Sequence, residues 1–422
     1  MASGVISCEP RRRVVITGMG VMTPNGTDLA TFWTNVCKGR SAATELTRFD
    51  PKDSPSRLAC EIRNWCPTDY MDAKTAKRLE RSHQYGIAAS RCAATDAGLD
   101  FKFIDPDRAG VVEGTSVSNY DAAYKGRRAV DERGHRTVTP SMMISGYVGS
   151  GSAEIANQLH CKGHAVTMSS GSSSGNDVIG YALSMIQNED VDVMVAGAAE
   201  APLIDTIFFG FAQSHAMSRS TGDPTEAMKP FDQHSDGFVM GEGAAFLVLE
   251  ELGHALSRDA KIHAEVVSHG RSCEAYHPMA PNPDGTGVVR AIEKALRRGE
   301  VDPLSVDYIN PHGSANGIND IAETRAIRNV FGKHADRLAV SSIKPVTGHS
   351  LAAAGAIEAV ATVLAISTRE IPPTINLRDP WPECDLDYVV GTSRLYPVRV
   401  ALCLNSGFGG KTSCLALRAY PG

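Results

Sequence analysis

Short apolar runs with β propensity alternate with helical patterns along most of the 422-residue chain. Because a parallel strand needs a crossover before the next strand, such alternation is typical of βαβ units, whose sheets are covered by helices. The sequence therefore predicts an α/β fold with parallel, buried sheets. The predicted strands are 14–17, 109–112, 165–168, 191–196, 244–249, 262–268, 308–310, 338–341 and 400–404.

A polar, helix-like segment at residues 252–261 separates the first five predicted strands from the remaining four. A length prior of roughly 150 residues per domain gives two or three domains, although large α/β folds often exceed it. We expect two units, residues 1–252 and 253–422. The sequence shows no repeat of fixed short period.

Composition excludes several function classes. The net charge of −6 leaves no electrostatic footprint for nucleic acid. The ten cysteines form no C-x-x-C pair and no Cys/His cluster, which predicts free thiols in a reducing cytoplasm and no metal site. Charges at Arg11 to Arg13 interrupt any signal peptide, and the longest apolar stretch, 351–366, is too short to span a bilayer and contains Glu358.

The most informative local feature is a turn of small residues around Ser172, between an apolar strand pattern and a helix. Downstream, His312, Lys344 and His349 each lie in a short motif near the tip of a predicted strand. The motifs, in chain order, are Val-Ile-Thr-Gly at 15–18, Asp-Gly-Phe-Val-Met-Gly-Glu-Gly at 236–243, Asn-Pro-His-Gly-Ser at 310–314, Ser-Ile-Lys-Pro-Val-Thr-Gly-His-Ser at 342–350 and Asn-Ser-Gly-Phe-Gly-Gly at 405–410.

With these motifs the chain resembles, over nearly its whole length, the β-ketoacyl-(acyl carrier protein) synthases of the thiolase superfamily. Their nucleophile turn reads Gly-Cys-Thr-Ser-Gly or Ala-Cys-Thr-Ser-Gly, so Ser172 stands where the family has cysteine. The pair Asn319–Asp320 and the tail at 406–410 are more similar to type II polyketide ketosynthases than to fatty-acid enzymes. The resemblance implies the thiolase fold, with two similar βαβαβ halves packed in five layers.

The resemblance also implies roles for the motif residues. His312 and His349 would bind the malonyl thioester carbonyl as neutral donors and stabilise the enolate, in the manner of an oxyanion hole. Lys344 would order the second histidine and balance the charge of the site. At a helix N-terminus a cysteine thiol becomes reactive, whereas the hydroxyl of Ser172 is a weaker nucleophile that needs an adjacent general base.

Substrate contacts are expected from two further motifs. Phe408 would form a wall of the acyl pocket, with the backbone N–H groups of Phe408 and Ser172 as a second oxyanion hole. Gly409 in the same turn permits a close approach of the backbone to a ligand. Ser314 and Asn316 occupy positions where the family holds the phosphopantetheine arm with hydroxyl residues; Ser314 keeps that chemistry, whereas Asn316 departs from it.

The partner implied by the resemblance is an acyl carrier protein, whose phosphopantetheine carries the substrates, so that no separate cofactor is expected. A dimer with a second copy or with a homologous chain-length-factor subunit is also implied, and the aperiodic segment 135–153 would cross its interface. The positions expected to line the tunnel are Phe208, Phe209 and Met143. Basic residues expected to attract the acidic carrier protein are Lys125, Arg127, Arg128 and Lys411.

The leading hypothesis is therefore a β-ketoacyl synthase whose condensation is impaired by Ser172. Two alternatives are a non-catalytic partner of the chain-length-factor type and a malonyl decarboxylase, which needs both histidines but no acyl-cysteine. Chain-length factors usually lack the histidines, and this chain keeps them. The pattern Gly-x-Ser-x-Gly at 171–175 also matches the nucleophile elbow of α/β-hydrolases with Ser173 as nucleophile, but that reading leaves Lys344 and His349 unexplained.

Overall fold

The structure is a computed structural model that describes residues 11–117 and 119–421; residues 1–10, Ser118 and Gly422, which belong to the two predicted units, lie outside the described residues. The strands are β1 Val14–Met22, β2 Ala43–Glu45, β3 Leu58–Cys60, β4 Ala109–Gly114, β5 Ala165–Met168, β6 Val193–Glu200, β7 Met240–Gly241, β8 Gly243–Glu251, β9 Ala264–Cys273, β10 Tyr308–Asn310, β11 Ala339–Val340, β12 Glu370–Ile371, β13 Arg394–Leu395, β14 Val400–Gly407 and β15 Lys411–Arg418. The helices are α1 Leu29–Cys37, α2 Ala73–Arg78, α3 Arg81–Asp96, α4 Tyr120–Arg133, α5 Pro140–Gly146, α6 Ser150–Leu159, α7 Ser174–Gln187, α8 Asp205–Gln213, α9 Leu252–Ser257, α10 Thr286–Arg298, α11 Gly317–Phe331, α12 Lys344–Thr347 and α13 Ala352–Thr368.

Ten of these strands form a continuous sheet made of two five-stranded halves. The first half has the order β5-β4-β6-β8-β1 and the second the order β11-β10-β14-β15-β9. The halves join where Val15 and Ile16 of β1 pair with Glu265 and Ala264 of β9. When the five strands of each half are numbered along the chain, both halves have the same order, 3-2-4-5-1.

Strand directions repeat as well. In the first half β4 is parallel to β5 and β6, while β8 is antiparallel to β6 and β1. In the second half β10 is parallel to β11 and β14, while β15 is antiparallel to β14 and β9. The prediction of parallel sheets is therefore wrong for one strand of each half, β8 and β15, each of which is antiparallel to both of its neighbours. Strand β15 follows β14 through a short turn, as an antiparallel pair allows, whereas a long connection leads from β6 to β8.

Alternating side chains on the strands build three layers of core. Val112 of β4 and Cys403 of β14 point inward to helices α7 and α13, which lie between the two sheets. Val111 points to the other side, where α3 and α6 cover the first sheet, and Leu402 points toward α10 and α11 outside the second. The order helices, sheet, helices, sheet, helices confirms the predicted five-layer α/β fold with two similar halves.

Helix α13 is apolar nearly all round because it lies in the central layer, covered on both sides. Glycines allow it to contact α7 closely: a Cβ on Gly175 would lie 2.2 Å from the backbone nitrogen of Ala356. This crossing lies directly behind the turn that contains Ser172. None of the described helices has both the length and the apolar composition needed to cross a bilayer.

One prediction about local structure is wrong, and another is confirmed. Residues 135–153 are not an aperiodic loop but contain α5 and the start of α6, with Thr139 as the side-chain cap of α5. The polar segment at 252–261 does contain a helix, α9, as predicted. The boundary between the two predicted units stays a prediction.

Candidate active site

Ser172 lies in a tight turn between the end of β5 and the start of α7. Gly171 has a φ of +70°, which favours glycine at that position. The Ser174 hydroxyl accepts from the Ser170 amide at 2.9 Å and donates to the Gly171 carbonyl at 2.6 Å, so the turn is held from inside. The half-buried Ser172 is thereby placed at the positive end of α7.

Ser173, the residue that the hydrolase elbow would require as nucleophile, is completely buried. Its hydroxyl donates to the Ser170 carbonyl at 3.0 Å and forms part of the turn. A side chain in that position has no route to a substrate. The structure therefore removes the α/β-hydrolase interpretation.

Both histidines reach the same cavity as Ser172 from different loops. His312 follows β10 and His349 follows α12; their rings meet edge to face with centroids 5.4 Å apart. The Nε2 atom of His349 lies 3.2 Å from the Ser172 hydroxyl oxygen. All three side chains line a cavity of about 230 Å³. Residues separated by up to 177 positions along the chain are thus brought together as the sequence predicts.

Burial lowers the pKa of both imidazoles well below the usual value of 6.5, and the charge of Lys344 lowers both further. The rings are therefore neutral at physiological pH, with one N–H each. The contact from His312 Nδ1 to Asn405 Oδ1, at 3.4 Å, is too long to fix the proton on that nitrogen. A neutral ring with its N–H turned to the cavity is the donor that a developing enolate oxygen requires.

Lys344 is buried and has a carboxylate partner that the sequence did not reveal. Its ammonium group donates to the His312 backbone carbonyl at 2.5 Å and forms an ion pair with Glu358 of α13. Glu358 also accepts from the Asn405 amide at 2.8 Å. Lys344 thus positions the backbone of the first histidine by hydrogen bonding, whereas the resemblance assigned it to the second. Removing either charge alone would leave the other buried without a counter-ion, which costs about 3–5 kcal/mol in comparable pairs.

Two acidic side chains of α11 hold the loop that contains His312. Glu323 accepts from the amides of His312 and Gly313 at 2.7 and 2.9 Å. Asp320 accepts from the Ser314 amide at 3.2 Å and from the Phe231 amide at 2.9 Å. Burial raises the pKa of Glu323 to about 7 and that of Asp320 to about 8. The sequence marked Asp320 only as a family feature and gave no signal for Glu323.

The backbone amides of Ser172 and Phe408 lie side by side. A Cβ placed on Gly407 would lie 3.0 Å from the Ser172 nitrogen, and one on Gly171 would lie 3.9 Å from the Phe408 nitrogen. Only a glycine at position 407 allows this approach without displacing the nucleophile turn. The two turns are therefore in close contact, and the use of both N–H groups by one acyl oxygen stays a prediction.

The other predicted substrate contacts are placed as follows. Phe408 lines the cavity and stacks on Phe211, with ring centroids 5.7 Å apart and planes inclined by 16°. Ser314 and Asn316 also line the cavity, and Asn316 caps α11 through a hydrogen bond to its backbone. Gly409 does not line it; its amide donates to the Pro278 carbonyl at 2.8 Å and ties the glycine turn to the neighbouring loop.

The tunnel positions suggested from the sequence are wrong for this cavity. Phe208 and Phe209 pack around Phe49, in the apolar cluster behind the cavity wall to which Phe211 and Phe238 also belong, and Met143 is exposed on α5. The aromatic residues in the wall of the cavity are instead Phe211, Phe238 and Phe408. Successive side chains of a helix point in different directions around its axis, so neighbouring phenylalanines of α8 face different surroundings.

Comparison with protein-family models identifies the chain. Residues 11–255 match the family "Beta-ketoacyl synthase, N-terminal domain", and residues 263–378 match "Beta-ketoacyl synthase, C-terminal domain". The chain belongs to the β-ketoacyl synthase family. This agrees with the resemblance found from the motifs.

Curated relatives cover the chain almost from end to end. A 3-oxoacyl-[acyl-carrier-protein] synthase 2 of Synechocystis sp. is 41% identical over 97% of this chain and 99% of its own. A putative polyketide β-ketoacyl synthase 1 of Streptomyces cyaneus is 39% identical over 97% of this chain and 99% of its own. The family relatives thus include both fatty-acid and polyketide enzymes.

Solved structures give the same result for the fold. The ketosynthase/chain length factor of ishigamide synthesis superposes with a TM-score of 0.90 at 34% identity, covering 98% of this chain and 100% of that chain. A complex of a type II polyketide acyl carrier protein with its ketosynthase, bound to a hexaketide, gives 0.90 at 32% identity with the same coverage. These neighbours confirm the thiolase fold of a ketosynthase.

Proposed function

We propose that the chain acts as a β-ketoacyl-(acyl carrier protein) synthase of the type II kind, with both substrates carried on phosphopantetheine and no separate cofactor. It would decarboxylate a malonyl unit at His312 and His349 and join the resulting enolate to an acyl group on Ser172. The observation that carries the proposal is the convergence of these three side chains on one cavity.

The polar environment supports the decarboxylation step. Loss of carbon dioxide leaves an enolate whose negative charge develops on the thioester oxygen, and two neutral N–H donors stabilise that oxygen without prior charge. The buried ion pair of Lys344 and Glu358 lies behind the histidines and keeps the net charge of the region near zero. Neutral donors beside a balanced ion pair suit an anionic transition state.

The acyl-transfer step is proposed to be slow. A serine hydroxyl is a weak nucleophile at its free pKa, and the helix N-terminus stabilises negative charge without removing the proton. The His349 ring can accept that proton, but its lowered pKa makes it a weak base. Condensation should therefore be limited by acylation of Ser172, whereas decarboxylation should not.

A non-catalytic chain-length-factor role is the second candidate. The ishigamide neighbour includes a subunit of that class, so the fold suits either role. A subunit that only shapes a tunnel has no use for two neutral histidines on one cavity, or for a buried Lys344 that holds the His312 backbone and pairs with Glu358. The preserved network favours an enzyme.

Reconstitution with malonyl-carrier protein and an acyl-carrier protein tests the proposal. We expect carbon dioxide release well above that of a protein-free control, with only a small fraction of turnovers giving β-ketoacyl product. Carbon dioxide would be trapped and counted, and the product followed by mass spectrometry of the carrier protein. Release of no carbon dioxide would reject the enzyme and leave the non-catalytic role, whereas equal yields of both products would reject impaired condensation.

We further propose that the active form is a dimer with a second ketosynthase-fold subunit. Exposed apolar side chains are concentrated on and just after α4 and α5, beside β5, whose outer edge is the end of the sheet. An unpaired edge strand next to an apolar surface is a site for pairing with another chain. The exposed apolar residues are Tyr120, Tyr124, Val138, Met143, Ile144, Tyr147 and Val148.

Introducing negatively charged side chains on this apolar surface should separate the subunits. The double variant Met143→Glu, Tyr147→Glu is expected to run as a monomer where the parent runs as a dimer, because carboxylates would have to be buried at the interface. Sedimentation velocity measures the mass. Leu395→Glu, at an exposed apolar residue elsewhere, is the matched control and should remain dimeric. A monomeric parent protein would contradict the proposal of a homodimer.

The basic residues predicted on α4 are poor candidates for carrier-protein docking. Lys125 pairs with Glu80 and Asp121, while Arg127 and Arg128 each pair with an acidic residue four positions later. These pairs cancel most of the local positive field. Lys411, at the start of β15 beside the glycine turn, is the remaining candidate from the sequence.

A further inference from the structure

We propose that Ser172 and His349 form a serine-type dyad that hydrolyses acyl thioesters, so that the chain releases free carboxylic acids as well as decarboxylating malonyl units. The inference rests on the acyl-thioester site proposed above. It concerns a different acceptor: water takes the acyl group instead of an enolate carbon.

The first support is geometric. The hydroxyl oxygen of Ser172 lies 3.2 Å from His349 Nε2, within hydrogen-bond reach of a general base. The nucleophile is half-buried at the cavity wall, so both a thioester and water can reach it. The turns that carry the backbone amides of Ser172 and Phe408, the expected oxyanion donors, pack against each other at the same cavity. Nucleophile, base and oxyanion donors are therefore within one site.

The second support is the tautomeric freedom of His349. Its Nδ1 atom is buried and has no hydrogen-bond partner among the described residues. No partner fixes a proton at Nδ1, and the Ser172 hydroxyl at Nε2 can donate or accept, so the ring can present a lone pair at Nε2 for Ser172 or an N–H for an enolate. The lowered pKa keeps the ring neutral, which both tasks require. One histidine can thus act in two reactions.

Hydrolysis of the thioester would proceed in two half-reactions. His349 takes the hydroxyl proton of Ser172 while the oxygen forms a bond to the acyl carbon, and the carbon–sulfur bond breaks. The leaving thiolate then takes that proton. In the second half water gives a proton to His349 and bonds to the acyl carbon, the ester bond to Ser172 breaks, and the proton returns to the serine oxygen. The sum is thioester plus water giving acid plus thiol.

The oxygen atom of Ser172 also decides which acceptor is favoured. An oxygen ester donates electron density into its carbonyl more strongly than a thioester does, which makes it a poor acceptor for an enolate. Serine hydrolases nevertheless pass their oxygen esters to water through the same kind of histidine. An acyl group on Ser172 is therefore directed away from carbon–carbon bond formation and toward hydrolysis.

The rate should be low. His349 has no acidic partner at Nδ1 among the described residues, and loss of a productive triad aspartate lowers kcat by roughly 10⁴-fold in serine proteases. The neutral ring should also give a rate that changes little between about pH 6 and 8, since its titration lies below that range. Slow, pH-insensitive acid release is the expected signature.

The test uses the hexanoyl thioester of N-acetylcysteamine. We expect a hexanoyl adduct on the peptide that contains Ser172, stable to neutral hydroxylamine as an oxygen ester is, together with hexanoic acid detected by mass spectrometry. Ser172→Ala and His349→Ala should lose both signals. Ser184→Ala, at an exposed serine of the same helix, is the matched control and should release acid at the parent rate.

Acid release unchanged in Ser172→Ala, or absence of adduct and acid from the parent protein, would overturn the inference. Thermal midpoints of all variants would show that they are folded. Carbon dioxide release from malonyl-carrier protein is measured in parallel, because it reports the proposed synthase site without Ser172. Decarboxylation without acid release would reject only the hydrolase, and acid release without decarboxylation would reject only the synthase.

Discussion

Replacing His312 or His349 with alanine is expected to lower carbon dioxide release from malonyl-carrier protein by about 10²–10³-fold for each change, the usual cost of one oxyanion donor. In the proposed mechanism each ring would supply an N–H to the enolate oxygen, and the centroid separation of 5.4 Å would let both reach one atom between them. Trapped carbon dioxide under substrate saturation is the measurement. The double variant should lose little more than the single ones, since residues that act as a unit are not additive.

His164→Ala is the matched control, because this histidine is exposed and lies outside the cavity. A His312 or His349 variant that decarboxylates at the parent rate while folded would reject the assignment of the malonyl site.

The pH dependence of stability gives a separate check. Because burial lowers the pKa of both rings, the imidazoles of the folded protein bind protons less readily than those of the unfolded chain, which bind them below about pH 6.5. Stability should therefore be full above that pH and decrease as the pH falls below it.

Replacing Ser172 with cysteine is expected to raise condensation by at least about 10²-fold, the lower end of what a general base contributes to a hydroxyl nucleophile. At the N-terminus of α7 a thiol ionises more readily, and its thiolate attacks thioesters without help from His349. The turn should accept the sulfur atom because the cavity is open on that side. Condensation product would be measured by mass spectrometry of the carrier protein.

The introduced cysteine should also form a thioester adduct that neutral hydroxylamine removes, in contrast to the ester expected on serine. Ser184→Cys places a thiol on the exposed face of the same helix and should give neither adduct nor product. Decarboxylation should change little in both variants, because both imidazoles are supplied by loops of the second half of the chain and remain at the cavity. Absence of any acyl adduct on Cys at position 172 would count against the assigned nucleophile.

Strands bounded by turn-forming residues on both sides were predictable, whereas a strand that starts directly from a glycine turn was not. The bounds of β5 and β10 agree with the predicted runs, because both are bounded by turn-forming residues. Strand β15 was missed, since Lys411 and Thr412 at its start read as part of the preceding glycine turn. Helix α5 was missed because Pro140 and two glycines hide a short helix whose periodicity covers less than two turns.

The site residues that lie in motifs were predictable from the sequence. The residues that hold them in place were not. Ser172, His312 and His349 each lie in a motif next to a strand or turn pattern. The resemblance to the family therefore predicted that their side chains come together in one site. Glu358 and Glu323 lie in the middle of helices, where an acidic residue most often faces water. Only the three-dimensional structure shows that both are buried, because their burial depends on loops more than ten positions away.

The identical strand order of the two halves gives a reason for the division of tasks in the site. Ser172 follows the third strand of the first half, and Lys344 and His349 follow the third strand of the second. Corresponding loops of the two halves therefore meet at one cavity. In the proposed reaction the loop of the first half would hold the acyl group and the loop of the second would stabilise the carbanion. Two identical halves could not divide these tasks, so the proposed reaction requires the halves to differ.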